Sequence, residues 1–488
     1  MALDQHGRLE RLLIGVVLLQ FLALVAIPLC AIPLHVSRNY DEGWNAYFAQ
    51  IAMHGGVLYP PVDAMITNNY PPLSFYLVGV VGEMVGDNIV AGRLLSVLSL
   101  IVVSINVGRF SRWLGAGRSL AMLASVLFLL GMYTLIPGYM ATDDPQFLAH
   151  AFVTSGALIF LKANAERLWQ SMVVSVLLIV VGGLIKHNVI SLPLALCTWG
   201  LFYDRRRLGI FLVASFVMGG ATCIMVYMGW GITMVRDIFF NPRLVWPSRA
   251  LLTMEYALRF LLPYVVMAIV GWVLLGRRDK ASFVALYLVL SMLNGFWMLA
   301  GAGVNLNMLC DAVIALTLGA VLFVQALSGD GWSGWSARML HGHAKTVACL
   351  LIVLPWMVAS LFIYFSRPGV HNVDSLVHVH QWEELSRKLS LSKGAVACET
   401  LAVCYWAHKP MEIDFFNYGQ KLYARSIYAD APTGFLVKVT QKSYAYVVIE
   451  KSSLADPRLP LILMRALFEN YKPVEIVADE EVLLVPRT

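Results

Sequence analysis

Charge is what this sequence has least of. Only 14% of its 488 residues are Asp, Glu, Lys or Arg, against roughly a quarter in soluble domains. Hydrophobic residues make up 59% of the chain, and mean hydropathy is +0.70. A chain this long and this poor in polar surface does not fold as a water-soluble globule. The formal net charge of +6 is therefore not read as a nucleic-acid footprint. Cysteine is scarce as well, at seven residues. Cys30, Cys197, Cys223, Cys310 and Cys349 lie in apolar runs, where thiols behave as small core groups. No metal-ligand spacing, internal repeat or low-complexity tract is present. Cys398 and Cys404 fall in a more polar tail, and their spacing allows a disulfide without requiring one.

What is there is one apolar run after another. About 20 residues suffice to cross a bilayer as helix. Spans are read at 12–34, 88–108, 119–137, 145–162, 171–186, 188–203, 209–229, 257–276, 281–300, 306–326 and 346–365. The first run contains Pro28 and Pro33 and lacks a small-x-small cleavage site, so it reads as a retained span rather than a signal peptide. Basic clusters fall between the runs on one side. They are Arg8 and Arg11, Arg109 to Arg118, Lys162 and Arg167, Arg205 to Arg207, Arg277 to Lys280, then Arg338 and Lys345. That side is expected to be cytoplasmic, and an odd number of spans places the C-terminal segment outside.

The expected fold class is a polytopic α-helical membrane protein with about eleven transmembrane helices. A long first exterior loop spans 35–87, and a small α/β domain spans 367–488 after a membrane domain over 1–366. Within the loop, residues 41–54 carry Trp44, Tyr47, Phe48 and Ile51 at helical spacing and predict a helix lying along the membrane surface. Tyr70-Pro71-Pro72 predicts a second helix start at Leu73. In the tail, 380–389 reads as helix, and 395–398, 445–449 and 482–485 read as strands.

Ionisable residues gather at the outer ends of spans: Asp41-Glu42, Asp143-Asp144, Lys186-His187, and Asn305, Asn307 and Asp311. Charge near membrane depth is costly and marks functional candidates. Each group also has a plainer use. Asp41 and Glu42 suit a helix N-terminus through its dipole. Asp144 before Pro145 suits a helix cap. Lys186 at a helix end can snorkel to headgroups, or bind a lipid phosphate. His187 reads as a polar boundary residue. Arg236, Arg243, Arg249 and Arg259 break the charge rule in an exterior connection from about 230 to 259, as they would beside an anionic ligand arriving in the membrane plane. One reaction uses this inventory. Displacing a phosphate-linked sugar needs a carboxylate to take a hydroxyl proton and cations to meet the departing phosphate.

The sequence resembles the GT-C glycosyltransferases through Tyr40-Asp41-Glu42-Gly43, Asn69-Tyr70-Pro71-Pro72-Leu73, Asp143-Asp144-Pro145 and Leu184-Ile185-Lys186-His187, in that order. Gly303-Val304-Asn305-Leu306-Asn307, and Cys398-Glu399 through Tyr405 to Asp414-Phe415 in the tail, extend the likeness over nearly the whole chain. It is similar to the bacterial branch around protein O-mannosyltransferases and the lipid A aminoarabinose transferase. The resemblance implies inverting transfer from a polyprenyl-phosphate sugar to a hydroxyl on a glycan, lipid or protein, in the bacterial inner membrane. The N-terminus would be cytoplasmic and the tail periplasmic.

The resemblance makes Asp41 the base, with Glu42 as its neighbour and Asp144, or else Asp143, as the second-loop acid. It places Lys186 near the carrier phosphate. Many relatives have Lys where this chain has Tyr70, so Arg243 or Arg249 would have to replace that contact. No metal or other cofactor is implied, though paired acids could hold Mg²⁺ or Mn²⁺. Two other classes compete: a transporter or flippase of lipid-linked sugars, and a scaffold with an inactive transferase fold. The chain lacks the paired halves with broken helices of many transporters.

Overall fold

The structure is a computed structural model that describes residues 2–276, 278–328, 344–366, 377–427 and 434–488, with side chains from residue 10 onward. The Arg8 side chain, Arg277, Arg338 and the expected boundary between membrane domain and tail at 367 lie outside the described residues. The described membrane part and first loop contain helices α1 (Ala2–Cys30), α2 (Tyr40–Met53), α3 (Leu73–Val85), α4 (Asn88–Trp113), α5 (Arg118–Leu135), α6 (Gln146–Lys162) and α7 (Leu168–Ile185). They continue with α8 (Ser191–Tyr203), α9 (Arg205–Phe239), α10 (Pro247–Leu275), α11 (Asp279–Leu299), α12 (Cys310–Ser328) and α13 (Ala344–Ser366).

Among the described residues, nine helices are long and apolar enough to cross a membrane: α1, α4, α5, α7 and α9 through α13. The two remaining expected spans are α6 and α8, which are shorter at 17 and 13 residues. The first packs between α4 and α7, the second against α9 and α11. At the centre stands α12, whose apolar window is 94% buried, whereas that of α9 is only 17% buried. The contrast follows from side-chain size and position. Small residues such as Ala312 and Gly319 let neighbours close on α12, and Gly319 meets Ala268 of α10. Phe216, Ile224 and Met228 of α9 face outward instead, as lipid-facing residues must.

The basic clusters tie one end of the bundle together. Arg207 donates to the carbonyls of Phe160, Leu161 and Ala163 at the end of α6, and Lys280 donates to that of Trp113 at the end of α4. These are carbonyls that a helix C-terminus leaves without intrahelical partners.

Two expectations are corrected. The connection expected over 230–259 is mostly helix. The ninth helix bends at Gly231, whose φ of 67° suits glycine, and runs on to Phe239, while α10 begins at Pro247. Arg259 therefore sits on α10, paired along the helix with exposed Glu255 at 2.9 Å. The second correction concerns α2, whose apolar face packs on protein rather than on lipid. It is covered by α3, α4 and a tail helix at Leu401–Trp406. Gly43 makes this possible, because a Cβ there would stand 2.0 Å from the Ala402 nitrogen. The following small residue, Ala46, packs on Ala402 and Trp406.

The tail carries a four-stranded sheet ordered β1-β2-β4-β3, with β1 (Ala395–Cys398), β2 (Tyr444–Glu450), β3 (Tyr471–Val477) and β4 (Glu481–Pro486). The first pair is parallel and the others antiparallel. A disulfide joins Cys398 to Cys404, with Cα atoms 6.0 Å apart. The unexpected strand, β3, is an edge strand whose exposed Lys472, Pro473 and Glu475 conceal its pattern. The tail does not stand apart from the loop. Trp44, Phe48 and Phe75 share one apolar core with Trp382, Leu385 and Leu401.

Candidate active site

Four irregular places in the fold surround one cavity of about 200 Å³. They are the start of α2, the break between α7 and α8, the turn between α9 and α10, and the stretch from Gly303 to Met308. The break after α7 is what exposes Lys186. The helix stops at Ile185, and Lys186 adopts extended backbone (φ −150°, ψ 120°). Asp41 enters from the first turn of α2, and Arg243 from the turn after α9.

Asp41 is the cavity's acid. Among the described residues nothing hydrogen-bonds its carboxylate, and no other Asp or Glu lines the space. Burial, then the charge of Asp144, lift its pKa to about 6. Lys186 and Arg458 pull it down, and Asp414 adds a smaller upward push. Glu42, about 100° further round the helix, is turned away from the cavity. Both its oxygens take a fork from Arg93 at 2.7 Å, and they also accept from the Arg38 and Asp143 amides. Arg93 in turn donates to carbonyls of Ala31, Ile32, Leu34 and Val36, which fixes the chain leaving α1 against α4.

The second acidic pair is arranged differently. Asp144 accepts both from the Gln146 amide at the head of α6 and, through both oxygens, from Lys186 Nζ at 3.0 Å. Capping and ion pairing are thus combined in one residue. Asp143 is sealed inside protein against Gly92, where a Cβ would come within 1.9 Å of its carboxylate oxygen. Burial and the charges of Glu42 and Asp144 raise its pKa well above the usual carboxylate range.

Of the two arginines weighed as substitutes for a missing lysine, only Arg243 lines the cavity. Among the described residues no hydrogen bond or ion pair holds its guanidinium, whose carbon lies 5.7 Å from the centre of the Phe416 ring. Arg249 is tied to the carbonyls of Leu299, Gly301 and Val304. Tyr70 lies in the cavity under Lys186, whose ammonium is 4.9 Å from its ring centre. Asn305 and Asn307 line the same space, Asn305 donating to the Tyr139 hydroxyl at 3.0 Å. Asp311 does not join them. It is packed within the bundle, 3.4 Å from His150 and hydrogen-bonded by Tyr287.

Several residues at the site have no role in the sequence reading, His187 among them, which reads there as a polar boundary residue. His187 faces the cavity, its pKa held down to about 4 by burial and by Lys186 and Arg243. Asn188 follows it, and Asn241 stands two residues before Arg243. The tail supplies Phe416 and Asn417. It also supplies buried Asp414, which accepts from the Tyr40 hydroxyl at 2.7 Å and the Trp44 indole at 3.1 Å. Those two residues flank Asp41 on α2, so a tail carboxylate holds the helix turn that carries the cavity's acid. Among the described residues, no group of three or more His, Cys, Asp or Glu is placed to hold a metal ion.

The sequence matches no protein-family model and no curated protein. Its fold does match solved structures. ArnT from Cupriavidus metallidurans in the apo state superposes with a TM-score of 0.61 at 14% identity, covering 96% of this chain and 97% of that one. The same protein bound to undecaprenyl phosphate gives 0.58 at 12%, covering 97% of each. The archaeal oligosaccharyltransferase AglB from Archaeoglobus fulgidus, in complex with an inhibitory peptide and a dolichol-phosphate, gives 0.58 at 9%, covering 91% of this chain and 70% of that one. Over nearly its whole length, loop and tail included, this chain shares the fold of these structures.

Proposed function

We propose that the protein is a membrane glycosyltransferase that moves a sugar from a polyprenyl-phosphate carrier to an acceptor hydroxyl, with inversion. One observation carries this reading. An unbonded carboxylate with a pKa near 6, Asp41, shares a single cavity with the ammonium of Lys186 and the unbonded guanidinium of Arg243. A base whose pKa lies near the working pH is what proton removal from a hydroxyl needs.

In this mechanism Asp41 takes the proton as the acceptor oxygen bonds to the anomeric carbon. The bond from that carbon to the phosphate oxygen breaks, and the phosphate leaves with its electron pair. Attack from the side opposite the phosphate inverts the anomeric centre. Lys186 and Arg243 meet the charge of the leaving group, with Arg243 taking the place of the lysine that Tyr70 replaces. Glu42 and Asp144 position rather than react. The first holds the loop through Arg93, and the second aims Lys186. The acceptor is a hydroxyl of a glycan, lipid or protein. The site would face the periplasm, with the N-terminus and the basic end of the bundle in the cytoplasm.

The reading is supported by fold neighbours bound to undecaprenyl phosphate and to dolichol-phosphate. It is tested with purified protein in lipid nanodiscs, given polyprenyl-phosphate sugars and a panel of acceptors. Release of polyprenyl phosphate with an inverted product is expected. Movement of intact donor across vesicles without bond cleavage would replace this reading with transport.

A further inference from the structure

The cavity is unusually rich in one side chain. Six asparagines line it: Asn69, Asn188, Asn241, Asn305, Asn307 and Asn417. Several of their polar atoms are buried without any hydrogen-bond partner: the side-chain oxygens of Asn188, Asn307 and Asn417 and the amide nitrogen of Asn241. His187 Nδ1 is a fifth such atom on the same cavity. Asn307 and Asn417 are only 4% and 5% exposed. Buried polar atoms in folded proteins find partners in roughly nine cases out of ten. Five exceptions around one small space point to a ligand that both donates and accepts hydrogen bonds at several positions.

We infer that these asparagines form the donor-sugar subsite, and that the sugar is a single uncharged, hydroxyl-bearing ring. This rests on the transferase reading above and deepens it. A sugar hydroxyl donates one hydrogen bond and accepts two. It can therefore serve the three amide oxygens and the Asn241 nitrogen alike. Size limits the group, because drug-sized ligands occupy pockets of roughly 300–1,000 Å³. A cavity of about 200 Å³ has room for one ring beside the carrier phosphate.

Charge limits it further. The charged side chains lining the cavity are Asp41, Lys186 and Arg243. An amino sugar would bring an ammonium towards two cations, and its one available carboxylate partner would be the base itself. A uronate would compete with the carrier phosphate for Lys186 and Arg243. Neutral amides beside a committed acid and two committed cations select a neutral ring.

The test measures binding of four ligands, and turnover of the three that carry a sugar with acceptors present, by the full-length protein in nanodiscs. They are bare polyprenyl phosphate and the same carrier bearing a neutral hexose, a 4-amino-4-deoxypentose or a hexuronate. Wild type is expected to turn over the neutral donor at least about tenfold better than either charged one, the scale of one well-placed hydrogen bond or charge. Asn307→Ala should weaken the neutral donor about tenfold while leaving bare-carrier binding within about twofold, which also shows that it folds. Asn307→Asp should narrow the gap between amino and neutral donors. Equal or better use of the amino sugar or uronate by wild type would overturn the inference and leave the transferase reading standing. So would equal weakening of bare and sugar-bearing carrier by Asn307→Ala. Failure of wild type to bind even bare carrier would overturn both.

Discussion

The first loop and the second loop each present two adjacent acids, and the fold treats the pairs in opposite order. In the first, the leading residue, Asp41, opens onto the cavity while Glu42 is locked into Arg93. In the second, the leading residue, Asp143, is sealed in protein while Asp144 reaches the cavity's lysine. Neighbouring residues at a helix start point in different directions, so two adjacent acids rarely share a task. One of each pair serves the architecture and frees the other for the site. The burial of Glu42 shows how firmly this is done: neither its side chain nor that of Arg93 has any solvent-accessible surface.

The contrast can be broken residue by residue. The largest effect on stability should come from Glu42→Gln, which leaves Arg93 as a buried charge without its counter-ion. Removing one partner of such a pair costs about 3–5 kcal/mol. Thermal unfolding in detergent would show this as a large fall in Tm, and an unchanged Tm would mean the fork is not holding the loop. Next, Lys186→Met should lower kcat by about 10²–10³, the scale of removing one fixed donor to a developing charge.

The pH dependence is a subtler check. Asp41 must be ionised to act, so kcat/KM should fall as pH drops through about 6. In Asp414→Asn that limb should move to lower pH, because the Asp414 charge contributes to raising Asp41. The smallest effect belongs to Asp143→Asn. Burial and the charges of Glu42 and Asp144 raise the pKa of Asp143 well above the usual carboxylate range, which favours the neutral form, so the near-isosteric amide should change Tm and turnover little. A large loss would show that this carboxylate works ionised.

Much of the architecture was legible in the sequence, because its causes are local. Basic residues gather where helix C-termini leave carbonyls to bond, as Arg207 and Lys280 do. The third helix starts after Pro72 and stops at Gly86, whose φ is 87°. What was not legible depends on distant partners. The apolar residues of α2 suit a membrane surface as well as a protein one. Only Gly43 and Ala46, small enough for a tail helix to close on them, hinted at the actual cover. Arg243 and Arg249 are alike in sequence, and their fates diverge because three carbonyls near Val304 capture Arg249. Asn305 and Asn307 stood out at the end of a span, but Asn241 and Asn417 escaped notice for the same reason. An isolated Asn is an ordinary turn residue, and six of them form a pattern only once the fold brings them to one cavity.

The central claim is that Asp41 is the base of a sugar transfer from a lipid phosphate. The most direct test is sugar release from polyprenyl-phosphate donors, with acceptor present, by purified wild type and Asp41→Asn. The account predicts turnover by wild type and a loss of at least about 10²-fold in the variant, with unchanged Tm and unchanged binding of bare carrier. Equal turnover by the two proteins would contradict it.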